Sequence, residues 1–198
     1  MKNKKRAFTL LELIITLALT SLILGVIYTF FITNNKSLSR IEINSELQTE
    51  ASSIQTEILT YLTQSEGISE INNMKIDDNN KVSYDENLDS DSGKLDIENL
   101  KVKIENEYYE FKFDESTSML SLKAIDKNGN VINKNNLPKI LSKNVKEFQI
   151  RPLDFRSNPD GNFKDTYGVE VLLTLKKKKG YSDVETPFSL IVKFRNKK

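Results

Sequence analysis

The chain has 198 residues, 29 Lys plus Arg against 28 Asp plus Glu, and no Cys, His or Trp. That length accommodates one ordinary domain with an appendage, and a charge of +1 gives no support to a binder driven by phosphate neutralisation. Without Cys there is no disulfide, thiol nucleophile or thiolate metal site, and without His there is no imidazole ligation or His-based acid–base chemistry. Carboxylates, Ser, Lys and Tyr remain, so catalysis is disfavoured rather than excluded. The mean hydropathy of -0.45 suits a soluble protein, but the average conceals a segregated chain.

Residues 1–7 form a short basic leader with Lys2, Lys4, Lys5 and Arg6. Phe8 to Ile32 is an apolar run with one charge, Glu12. About 20 apolar residues, rising about 1.5 Å each, cross a hydrocarbon core of roughly 30 Å, so residues 8–32 can span a membrane. Lys2, Lys4, Lys5 and Arg6 before the run, against Lys36 and Arg40 after it, predict a cytoplasmic N-terminus and an extracytoplasmic C-terminal part. A secretory signal peptide would have a shorter apolar region and then a cleavage site. Here the run continues into a helical pattern. A signal anchor explains everything but Glu12, because a carboxylate in hydrocarbon is costly and usually functional.

The segment Arg6-Ala7-Phe8-Thr9-Leu10-Leu11-Glu12-Leu13 resembles the N-terminal cleavage and methylation motif of type IV pilins and type II secretion pseudopilins. The resemblance covers about 30 residues. It implies cleavage by prepilin peptidase between Ala7 and Phe8, N-methylation of Phe8, and an assembly role for Glu12, the fifth residue of the mature chain. The family usually has Gly before the cut, where this sequence has Ala7. It further implies a single-pass membrane precursor, other pilin or pseudopilin subunits as partners, an inner-membrane assembly platform, and a cell-surface filament as the destination. Glu12 would pair with a neighbour's N-terminal ammonium. The Coulomb gain in low dielectric is largely offset by desolvation, so the pair would set register rather than supply net affinity.

A second helical pattern follows without a break over residues 33–66. Leu38, Ile41, Leu47, Ala51, Ile54, Ile58 and Leu62 make an apolar stripe, with Ile43 off it. With no Pro between Phe8 and Glu66, one helix is predicted, ending near Gly67. Residues 67–198 read as an extracytoplasmic β-rich head. Residues 68–94 are polar and loop-like, with a weak strand at Val82 and Tyr84. Beyond them, alternation marks strands at Val102–Ile104, Tyr109–Phe113, Leu120–Ala124, Phe148–Pro152, Val169–Leu175 and Phe188–Phe194. Asp126-Lys127-Asn128-Gly129-Asn130 and Asn158-Pro159-Asp160-Gly161 are turn signals. The predicted fold is α+β: a long N-terminal helix, half membrane-spanning and half amphipathic, packed against an antiparallel β-sheet head, as in pilins.

Candidate chemistry in the head is weak. Asp85, Glu86, Asp89, Asp91 and Gly93 lack the ligand spacing of an EF-hand and read as a solvated acidic loop, not a metal site. Lys176 to Lys179 reads as the solvated end of a strand; nucleic acid is an unlikely partner because no aromatics interleave. No cofactor and no enzyme activity are expected. Asn144–Phe148, Val169–Leu175 and Val192–Asn196 resemble J-type pseudopilins and W-type minor pilins, whereas Glu12 argues against the K-type tip subunit. Thr29 occupies the place where many major pilins have a helix-kinking Pro. The function predicted is a minor pilin or pseudopilin; the alternatives are a competence pseudopilin assisting DNA uptake and an unprocessed, signal-anchored binding module. Removal of the leader would leave 25 basic against 28 acidic side chains, so the mature subunit would be mildly acidic.

Overall fold

A computed structural model describes residues 9–134, 136–180 and 182–196. One helix, α1 (Leu10–Gln64), forms the spine. Its 55 residues make it about 82 Å long. Thr9 caps its start, and the chain leaves at Ser65 in an extended conformation, two residues before Gly67 with its φ of +139°. The helix therefore ends slightly before the predicted end near Gly67, and Phe8 lies outside the described residues. From Leu10 to Phe31 every residue is exposed in the single chain.

The helix begins to bury side chains at Ile43, followed by Leu47, Ala51, Ile54, Ile58 and Leu62. This corrects the predicted stripe. Leu38 and Ile41 are each 65% exposed, whereas Ile43 is fully buried. At about 100° per residue, Ile43 lies within roughly 100° of every buried position above it, while Ile41 lies roughly 110° and Leu38 roughly 170° from the centre of that stripe. Spacing to the next apolar residue misled there, because near the membrane the helix carries apolar residues on both faces.

The head contains two antiparallel sheets rather than one. In the first, β1 (Ile68–Ile71), β2 (Met74–Lys75), β4 (Asn99–Ile104), β5 (Glu107–Asp114), β6 (Met119–Ile125) and β7 (Val131–Ile132) are ordered β2-β1-β4-β5-β6-β7, and β8 (Lys139–Ser142) also pairs with β6. In the second, β3 (Leu95–Asp96), β9 (Val145–Pro152), β10 (Gly168–Lys179) and β11 (Ser182–Lys193) are ordered β11-β10-β9-β3. Alternating residues of both sheets, including Val102, Phe111, Leu122, Ile150, Val171 and Val192, join the helix stripe in one core. The residues 68–94 are not simply a loop. The Asn72–Asn73 pair, with φ of 48° and 66°, closes the β1–β2 hairpin. Val82 and Tyr84 form no strand: Ser83 makes a lone bridge to Asn162, and Tyr84–Asn87 is one helical turn, α2. The Tyr84 hydroxyl donates to Asp154 at 2.9 Å, and the buried Thr166 hydroxyl donates to the same carboxylate at 2.7 Å. Burial raises the Tyr84 pKa well above the ordinary phenol value, so this hydroxyl stays a donor.

Strand β11 sets the height of the head against the spine. At its start, Ser182 Oγ donates to the Lys36 carbonyl at 3.3 Å; just past its end, Arg195 N–H donates to the Thr63 carbonyl at 3.0 Å. The helix rises about 40 Å between those two points and the extended strand covers about 43 Å, so the two run side by side and in the same direction. Strand β11 thus runs along α1 from the level of Lys36 to that of Thr63. In detergent-solubilised protein, Ile54→Ala should destabilise the head by about 2–5 kcal/mol, measured by denaturant unfolding. Ile41→Ala should change it by less than ~0.5 kcal/mol; equal losses would contradict the corrected stripe.

Candidate functional site

The N-terminal motif enters α1 through a capping box. Thr9 N–H and Thr9 Oγ1 each donate to Glu12 Oε2 at 2.9 Å, while Glu12 N–H donates to Thr9 Oγ1 at 3.3 Å. The Thr-x-x-Glu spacing permits this, since the third residue of a helix reaches back to its cap. Sequence reading singled out Glu12 but not the capping role of Thr9, although that spacing was the available signal. Glu12 therefore has donors within its own chain, which lowers the cost of placing a carboxylate at the edge of an apolar segment. Ala7 and Phe8 lie outside the described residues.

The Thr and Ser hydroxyls of the apolar run within α1, and of Thr33 just past it, are satisfied along the helix. Thr16, Thr20, Ser21, Thr29 and Thr33 each donate a hydroxyl hydrogen bond to the carbonyl four residues back, at 2.7–2.9 Å. In hydrocarbon no water is present to do so, and these bonds let hydroxyl side chains stay in a spanning helix. The segment is long and apolar enough to cross a membrane, and none of its most apolar window is buried in the chain. Its exposed Leu10, Leu13, Leu17, Leu24 and Phe31 need lipid or other helices as cover.

Above the apolar run, a ladder of carboxylates on one flank of α1 receives the head. Glu42 accepts from Lys179 Nζ at 2.8 Å and Glu46 from Lys177 Nζ at 2.6 Å. Higher up, Glu50 accepts from Asn144 Nδ2 at 2.9 Å and Glu57 pairs with Lys139 at 2.5 Å. Alternate residues of β10 point one way, so Lys177 and Lys179 face the helix, while Lys176 reaches Glu185 and Asp183 on β11. The lysine run is the largely exposed end of β10, as read from the sequence, and two of its lysines also help dock the sheet on the spine. The i, i+4 spacing of Glu42, Glu46 and Glu50 was visible in the sequence, but their partners lie 94 to 137 residues away.

The acidic loops serve their own turns. Asp89 accepts from the Ser92 and Asp91 N–H groups, and Asp126 accepts from Asn128 N–H, Asn130 N–H and Asn130 Nδ2. Those donors hold both carboxyls below the ordinary Asp range. Among the described residues no cluster of three or more metal-ligating side chains forms.

Residues 2–28 match the family model of the prokaryotic N-terminal methylation motif. The chain carries a type IV pilin-type prepilin N-terminus. That match, the exposed apolar half of α1 and the α+β head together fit a membrane-anchored, single-pass prepilin built like a pilin. No curated protein and no solved structure matches the chain. The motif's family is one of processed structural subunits. Its match ends at residue 28, so the head of this prepilin is described by its own geometry alone.

Among the clamp groups, Glu46 has its pKa lowered by the Lys177 hydrogen bond, with the lysine charge adding to it. A folded-state pKa below the unfolded one gives stability that is present above the ordinary glutamate value of 4.5 and lost as pH falls through the lowered value. Thermal unfolding of the solubilised prepilin should therefore show a midpoint that drops as pH falls below 4.5. Glu46→Gln should lower the midpoint at neutral pH and flatten part of that drop; an unchanged pH profile would contradict the clamp.

Proposed function

We propose that this prepilin is a minor pilin or pseudopilin, a structural subunit of a type IV pilus or type II secretion-like filament. The observation that carries the reading is the junction of the methylation motif with a helix that is bare and apolar below and clamped to a head above. Lipid covers the bare half before assembly, and neighbouring spines cover it afterwards. Larger J-type pseudopilins or W-type minor pilins are the preferred comparison, on the strand pattern of β9 to β11.

In this reading the leader stays cytoplasmic and the head is extracytoplasmic. Prepilin peptidase cuts between Ala7 and Phe8, and the new Phe8 amino group is methylated. The small Ala7 side chain stands where the peptidase usually meets Gly. Glu12, held by Thr9 in the lone subunit, exchanges those internal donors for the N-terminal ammonium of a neighbouring subunit at an inner-membrane assembly platform. The exchange is close to neutral in energy, because both states satisfy the carboxylate, and so it selects register while apolar packing supplies cohesion.

Co-expression with a prepilin peptidase tests the reading. Intact-mass measurement should show loss of residues 1–7 and gain of one methyl group on Phe8. An unchanged mass would return the chain to a signal-anchored module and contradict the filament role.

A further inference from the structure

The start of β11 meets α1 close to the end of the apolar run. Ser182 bonds to the Lys36 carbonyl, and Ile32 is the one residue of 10–32 that is partly buried rather than exposed. Four residues separate Ile32 from Lys36, about 6 Å along the helix. A bilayer's polar headgroup layer extends about 5–8 Å beyond each face of its hydrocarbon core. Tyr28, Phe30 and Phe31 are exposed just below, where interfacial aromatics commonly sit. The hairpin tip therefore stands among or directly above lipid headgroups.

That level is basic. Lys36 and Arg40 lie one turn apart on α1, Lys178 and Lys179 end β10 next to the Ser182 that touches Lys36, and the carboxylates beside these two lysines include Glu42, Glu46 and Asp183. Glu42 pairs with Lys179, and Asp183 pairs with Lys176 at 3.5 Å while lying opposite Lys178 in the strand register. Arg40 and Lys178 are both exposed. The height of this collar is fixed by the two pinned ends of β11, so its cations cannot withdraw from the membrane without undocking the strand.

We propose that the β10–β11 tip and the adjoining turn of α1 form a basic collar that docks on anionic phospholipid headgroups of the outer leaflet. It holds the head upright on the bilayer until the subunit is drawn into a filament. Nucleic acid offers the same phosphate chemistry, but the collar's place at the foot of the head favours lipid over a ligand arriving from solution. The inference rests on α1 spanning the membrane, and its test separates the two claims.

The full-length chain is reconstituted in nanodiscs of phosphatidylcholine alone or with added phosphatidylglycerol, and amide hydrogen exchange is followed. Exchange at Lys178, Lys179 and Gly180 should slow by at least roughly fivefold in anionic discs, the gain expected from one surface cation. High salt should reverse the slowing, because the Debye length falls to about 3 Å at 1 M. Arg40→Gln with Lys178→Gln should abolish it while the Ser182–Phe194 amides stay protected, showing that the head remains folded. Equal tip exchange in both discs, with the α1 amides protected, would overturn the collar alone. Exposed α1 amides would overturn both the spanning helix and the collar. Tip protection by a short DNA duplex but not by anionic lipid would also overturn it in favour of a nucleic-acid surface.

Discussion

The apolar half of α1 has no partner in its own chain, and the rest of the architecture follows from that fact. Leu10 to Phe31 is exposed on every face of the helix, and a soluble monomer does not leave such a continuous apolar cylinder in water. This surface needs a cover, lipid or packed helices. Its Thr and Ser hydroxyls are tied back locally to carbonyls one turn below, and Glu12 to Thr9. These bonds leave the surface uniform enough to exchange one apolar cover for another.

The head solves the opposite problem. In the proposed filament role it has to stay attached to a single helix while that helix changes surroundings. Burial of Ile43 to Leu62 supplies the cohesion, and the glutamate ladder together with β11 fixes translation and rotation. Exposed ion pairs contribute little net stability, but their geometry is specific. The lysines of β10 therefore act as register marks. A shift of the sheet by one helical turn would leave Lys177 opposite Glu42 or Glu50 and move every buried side chain of the interface.

What was legible in the sequence divides along physical lines. The N-terminal motif reads linearly, because insertion and processing act on an extended or newly helical segment, and the match at residues 2–28 agrees with it. Strands β5, β6, β10 and β11 show period-two alternation because one face of each meets the core. Ile43 was misplaced because the apolar residues Leu38 and Ile41, outside the buried stripe, set the wrong phase. The division into two sheets was not legible, since it depends on which of many short strands pair over long separations: β3 is only two residues long and joins β9 rather than β4. The Asn72–Asn73 hairpin and the Thr9–Glu12 cap had signals, in an Asn doublet and a Thr-x-x-Glu spacing, that a closer local reading would have used.

The proposed function stands on one exchange, in which Glu12 would leave its own Thr9 for a neighbouring subunit's N-terminus. Filaments sheared from cells expressing either the native chain or Glu12→Ala, then probed for this subunit, measure it directly. The account predicts that both forms are cleaved and inserted, and that the native chain is incorporated while the variant is absent from the filament fraction. Incorporation of the variant at the native level would contradict it.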